Sequence, residues 1–147
     1  MDVLTNNPAF RTYAVCAAIL ALKMILSAVY TSICRARSGG YVNPEDAATF
    51  GKGAKAAELE RPEVAHALRI QRNDLENIPA FFAIGLIYVL LGASPFGASA
   101  YLWTFTIARV LHTLAYMARL QPWRAICYGV GVACMVGMIS QILKQAW

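Results

Sequence analysis

Apolar residues along this chain gather in long unbroken blocks, with polar residues crowded between the blocks and at their edges. Four blocks can be read. The first covers about 12–34 and is broken only by Lys23. The second has a purely apolar part from Ile78 to Gly92, too short to cross a bilayer. It reaches the ~20 residues a spanning helix needs if the helix begins upstream in ALRIQRNDLEN, giving 66–92. The third and fourth cover about 98–118 and 123–143. A segment inside lipid must satisfy its own backbone hydrogen bonds, so helix is the element predicted for each. Between the first two lies a polar loop, 35–65, rich in Gly and Pro turn chemistry. The other connectors, GASPFGA and RLQPW, are short, and short connectors make neighbouring helices antiparallel. The pattern predicts an all-α, integral-membrane, antiparallel four-helix bundle occupying 1–147 as one domain.

Composition sharpens that picture. Of 147 residues, 59% are hydrophobic and 14% charged, against roughly 25% charged in soluble domains. Too few polar groups are present to cover a water-facing surface. The formal charge of +5 does not imply nucleic acid, because no basic run with interleaved aromatics occurs. Residues 1–10 lack a basic leader and the apolar block continues past residue 30, so the first span is expected to stay as an anchor. Cys16, Cys34, Cys127 and Cys134 form no C-x-x-C pair and are expected as reduced, packed thiols. His66 and His112 have no metal-ligand spacing, so no metal site is expected. Basic residues concentrate in loop one and its flanks (Arg35, Arg37, Lys52, Lys55, Arg61, Arg69, Arg72) and around loop three (Arg119, Arg124), against Arg11 and Lys144 opposite. That asymmetry places loops one and three in the cytoplasm.

Polar residues within spanning helices are costly and therefore informative. Helix two carries Arg69, Arg72, Asn73 and Glu76 at i, i+3, i+4, i+7, one face of a helix. Helix three carries Arg109, His112 and Tyr116; helix four begins with Arg124 and Tyr128; helix one ends at Arg35. The predicted topology brings all these helix ends to the cytoplasmic boundary, where they describe an arginine-rich, tyrosine-containing cavity. Guanidinium forks favour an anion with more than one carboxylate. Glu76 can receive an ammonium, and Asn73, His112 and the tyrosines can bind amides. A small zwitterionic peptide such as glutathione has the complementary groups, and an arginine beside its sulfur favours thiolate. A plainer reading stands beside this one. Arginines near helix ends also snorkel or set topology, and Arg69 or Arg72 can bridge Glu76 internally. Lys23 is expected to face the bundle in a structural role, and Asp74, off the stripe, to bridge a base of loop one.

The motifs VNPEDAATFGKG, RNDLENI and ARVLHTLAY resemble those of the family of membrane-associated proteins in eicosanoid and glutathione metabolism, over about 23–143. The resemblance implies a homotrimer with glutathione bound between subunits near the cytosolic face. It implies that Arg72, Asn73, Glu76, His112, Tyr116 and Tyr128 hold the peptide, with Arg35 reaching it from the adjacent subunit. Arg124 matches the arginine that stabilises the thiolate, and Asp46 an aspartate of prostaglandin E synthase chemistry. Family members of that synthase type have serine where this chain has Ala125, which favours the transferase branch. The expected function is therefore a glutathione transferase acting on lipophilic small molecules, with reduction of lipid hydroperoxides as a related activity. A glutathione-dependent prostaglandin E synthase is the alternative, and a non-catalytic lipid-presenting scaffold the third reading. The resemblance implies the endoplasmic reticulum in a eukaryote, or the inner membrane in a bacterium, with the site facing the cytoplasm. The small residues Gly129, Ala133 and Gly137 recur at four-residue spacing, which permits close helix packing.

Overall fold

A computed structural model describes residues 6–52 and 55–147. Its described residues form helices and connecting turns, without strands: α1 (Pro8–Ser38), α2 (Pro44–Thr49), α3 (Pro62–Leu90), α4 (Pro95–Met117) and α5 (Trp123–Ala146). Prolines open the first four, where a missing N–H is harmless and φ is already helical. Asn7 caps α1, its Oδ1 accepting from Ala9 N at 2.9 Å. Ser94 caps α4, its Oγ accepting from Gly97 N at 3.1 Å. α4 ends in a paired-bond stop: Leu120 N donates to the Ala115 carbonyl and Arg119 N to that of Tyr116, with Arg119 left-handed at φ 57°. The loop predicted over 35–65 is thus partly helical, holding the end of α1, all of α2 and the start of α3.

The chain divides into two compact units. The first combines the described residues up to Lys23 with Asp74–Trp147. Phe81 of α3 stacks on Phe105 of α4 with centroids 4.1 Å apart. Gly85 lets α1 and α4 approach α3, since a Cβ there would stand 3.3 Å from both Tyr13 and Leu102. Tyr13 Oη donates to the Phe82 carbonyl at 3.0 Å. α4 packs along α5, and Gly137 accommodates the Tyr101 ring so closely that a Cβ would fall 2.5 Å from it. Of the two glycines at this spacing in α5, Gly137 has this role, whereas Gly129 has nothing within 4 Å of its would-be Cβ. The second unit is Met24–Asn73. Its buried residues include Ala47, Val64, Ala67 and Ile70, and Thr31 Oγ1 donates to the Ser27 carbonyl at 3.0 Å.

α1 and α5 are long and apolar enough to cross a membrane, yet only 22% and 17% of their most apolar windows are buried. A core helix of a water-soluble protein would be mostly covered. Here Leu22, Ile25, Leu26 and Val29 of α1, and Ile126, Val136 and Leu143 of α5, face outward. Such surfaces are stable against hydrocarbon and unstable against water. The chain is a membrane protein. Among the described residues, two helices meet the spanning requirement by length and composition alone; in α3 the charged residues of RNDLE interrupt the apolar run.

Candidate functional site

In the first unit, α4 presents Arg109, His112 and Tyr116 along one face, as their spacing predicts. Arg109 and His112 are buried, at 1% and 3% exposure. The His112 ring meets Tyr116 edge-on at 5.7 Å and lies 6.4 Å from Tyr128 of α5. Arg124, in the first turn of α5, lays its guanidinium over the Tyr116 ring, 4.5 Å from the centroid. A cation over an aromatic face is held by the ring quadrupole. The Gln121 amide oxygen, turned toward Arg124, accepts from Nη2 at 2.6 Å and from Nε at 3.1 Å. Sequence reasoning missed Gln121, because a glutamine in a turn carries no periodic signal. Four residues expected at the site, His112, Tyr116, Arg124 and Tyr128, thus come together. Within this group His112 Nδ1 is buried without a hydrogen-bond partner among the described residues. A buried polar atom of that kind is suited to a polar ligand.

One helical turn from His112 lies an ion cluster joining three helices. Lys23 Nζ of α1 is 2.6 Å from Asp74 Oδ1 of α3, and Arg109 Nη2 of α4 is 3.3 Å from the same oxygen. The Asp74 side chain is 2% exposed. This corrects the expectation that Asp74 bridges a base of loop one. Asp74 points inward, away from the Arg69–Glu76 stripe, and a carboxylate buried there needs a buried cation rather than one held in a polar loop. Lys23 does face inward, as read from the sequence. Its partner, however, was not legible, because Lys23 and Asp74 are 51 positions apart.

On α3, Arg72 and Glu76 are exposed and Asn73 is half-buried. In the second unit, Arg35 pairs with Glu60 at 2.6 Å, a partner the sequence did not suggest. Arg35 and Asp46 line a common cavity of about 270 Å³ with Ser32, Ala36, Tyr41 and Phe50. Asp46 also accepts from Asn43 Nδ2 at 3.2 Å. Among the described residues, no group of three or more His, Cys, Asp or Glu is arranged to hold a metal ion, and the four cysteines are free thiols.

The first unit's cluster offers cationic, phenolic and imidazole groups around a buried acceptor or donor nitrogen, with one arginine braced against an aromatic ring. Such an array can hold an anion and stabilise negative charge on it. The profile of the MAPEG family, whose motifs the sequence resembles, matches residues 13–144. "Prostaglandin E synthase" of Homo sapiens is 34% identical over 146 residues, covering 99% of this chain and 95% of that protein. "Microsomal glutathione S-transferase 1" of Homo sapiens is 37% identical over 143 residues, 95% of this chain and 92% of that protein. The Bos taurus protein of the latter name is 36% identical over 148 residues.

Proposed function

The chain belongs to the MAPEG family, and on that premise we propose that it is a membrane glutathione transferase. It conjugates glutathione to lipophilic electrophiles, and lipid hydroperoxides are further substrates of the same thiol. The observation that carries this reading is the Arg124 guanidinium fixed over Tyr116 and braced by Gln121, beside His112 and Tyr128. Glutathione, when bound, supplies the nucleophilic sulfur. The residues present fit it: His112 Nδ1 is a buried nitrogen awaiting a partner, and the arginines match its two carboxylates. Arg124 stabilises thiolate by opposite charge in a low-dielectric setting. Arg72, Asn73, Glu76, His112, Tyr116 and Tyr128 hold the peptide, and fixing the nucleophile in place contributes to rate along with its ionisation.

Exposed Arg72 and Glu76 on a helix of a membrane protein support assembly as a homotrimer. Charged side chains facing lipid are expensive, and a neighbouring subunit that covers them removes the expense and brings Arg35 to the peptide. The helices α1, α3, α4 and α5 form the antiparallel four-helix bundle, each crossing the membrane once, with loops one and three and the site facing the cytoplasm. The membrane is the endoplasmic reticulum in a eukaryote or the inner membrane in a bacterium.

A second reading has an observation of its own. The relative named Prostaglandin E synthase aligns with 99% of the chain, and Asp46 shares a cavity with Arg35, which supports endoperoxide isomerisation with glutathione as cofactor. Ala125 offers no hydroxyl beside Arg124, which is why the transferase reading ranks first. The test is to purify the protein in detergent and supply glutathione with an aryl halide or with prostaglandin endoperoxide. Conjugate formation supports the transferase; a predominant prostaglandin E product supports the isomerase. Absence of glutathione-dependent turnover on either substrate, as a lipid-presenting scaffold would show, rejects both.

A further inference from the structure

The Lys23–Asp74–Arg109 cluster is charge-imbalanced. It holds two cationic side chains and one carboxylate, all buried, with side-chain exposures of 10%, 2% and 1%. A surplus buried charge is costly to keep. The surplus stands close to the candidate site. Arg109 and His112 are consecutive on one face of α4, about 4.5 Å apart along its axis, and His112 touches the ring group of Tyr116 and Tyr128. The titratable and charged groups around the cluster come from every helix packed there: Lys23 of α1, Asp74 of α3, His112 of α4, and Cys127, Tyr128 and Arg124 of α5. Asp74 is the carboxylate among them, and it is shared between two cations.

We propose that this buried cluster is a second source of positive potential for bound glutathione, its net charge of two cations on one shared carboxylate acting on the thiol at a distance, with Lys23 as the cation whose removal makes the cluster neutral. Lys23 touches neither substrate nor sulfur in this scheme. It works through its field, while Asp74 holds it in place and pairs Arg109. The chemical event is ionisation alone: the thiol proton is lost to solvent and the electron pair stays on sulfur. A unit charge acting over roughly 12 Å at an effective dielectric near 20 shifts an ionisation by about one pKa unit. Arg124 and Lys23 therefore divide the work, one by contact and the other by field. This inference rests on the glutathione reading above.

The sign of the effect follows from charge. Removing a cation raises the pKa of the bound thiol, so activity falls at neutral pH and recovers where thiol is fully ionised in both proteins. Lys23→Met keeps the length and apolar packing of the side chain and leaves Asp74 and Arg109 as a neutral pair. In the purified protein, its pH profile of glutathione-dependent turnover is expected to shift upward by about one unit. Turnover near pH 7 falls severalfold, at most about tenfold, converging on the unsubstituted protein at high pH, with glutathione affinity little changed. Lys23→Arg, which restores the charge, should restore the profile. A variant that folds but shows an unshifted profile overturns the proposal, as does a uniform loss at every pH that Lys23→Arg fails to rescue. Should Lys23→Met fail to fold, Lys23→Gln is measured in its place. If the unsubstituted protein itself shows no glutathione-dependent turnover, the glutathione reading fails instead, and the two failures are distinguished.

Discussion

Arg124 is held from two sides, by the Tyr116 face and by the Gln121 amide, so its guanidinium is positioned before any ligand arrives. Arg124→Ala is expected to lower kcat/KM for glutathione conjugation by about a hundredfold while glutathione affinity changes little. Steady-state kinetics with equilibrium binding checks this, and an equal loss in affinity would make Arg124 a mere anchor. Asp74 is the opposite kind of residue. Its replacement by Ala leaves two buried cations without a carboxylate, a change worth about 3–5 kcal/mol of stability. Chemical denaturation in detergent measures it, and a loss below about 1 kcal/mol would mean that water or another group reaches the cluster. At this scale the candidate site was partly legible. Arg109, His112 and Tyr116 share a face because their spacing puts them there, whereas the Arg35–Glu60 pair and the Lys23–Asp74 pair join helix to loop or helix to helix. Periodicity within one helix cannot report partners on another.

Helix positions were legible because each apolar block is long and each boundary carries Pro, Ser or Asn chemistry. The short helix α2 was not, since six residues between glycine-rich turns give no periodic signal. The end of α4 shows how an element can keep a locally unfavourable residue. Arg119 occupies the left-handed position that closes the helix, a conformation that costs a residue with a Cβ roughly 1 kcal/mol more than glycine. Arg119→Gly is expected to raise thermal stability by about 0.5–1 kcal/mol, read as an upward shift of the unfolding midpoint. No shift, or a fall, would show that the arginine side chain contributes contacts that outweigh its backbone strain. Packing between elements gives the converse case. Gly137→Ala forces a Cβ against the Tyr101 ring and should destabilise the α4–α5 contact by about 1–3 kcal/mol, by the same measurement. A neutral result would mean that the ring swings aside at no expense.

For the molecule as a whole, the apolar exterior of α1 and α5 and the exposed charges of α3 make opposite demands on their surroundings. The first favours lipid, the second a protein neighbour. Cross-linking the purified protein in mild detergent is therefore expected to yield trimers as the largest abundant species, and Glu76→Arg to reduce them through unbalanced charge; monomers alone would contradict the assembly proposed. Glutathione held as thiolate is the bound state proposed for this chain. The most direct measurement is the ultraviolet difference spectrum of the purified protein on adding glutathione, followed across pH. A saturable thiolate absorbance is expected already at neutral pH, where free glutathione is mostly protonated. Saturable binding with a thiol that ionises only where free glutathione does would contradict it.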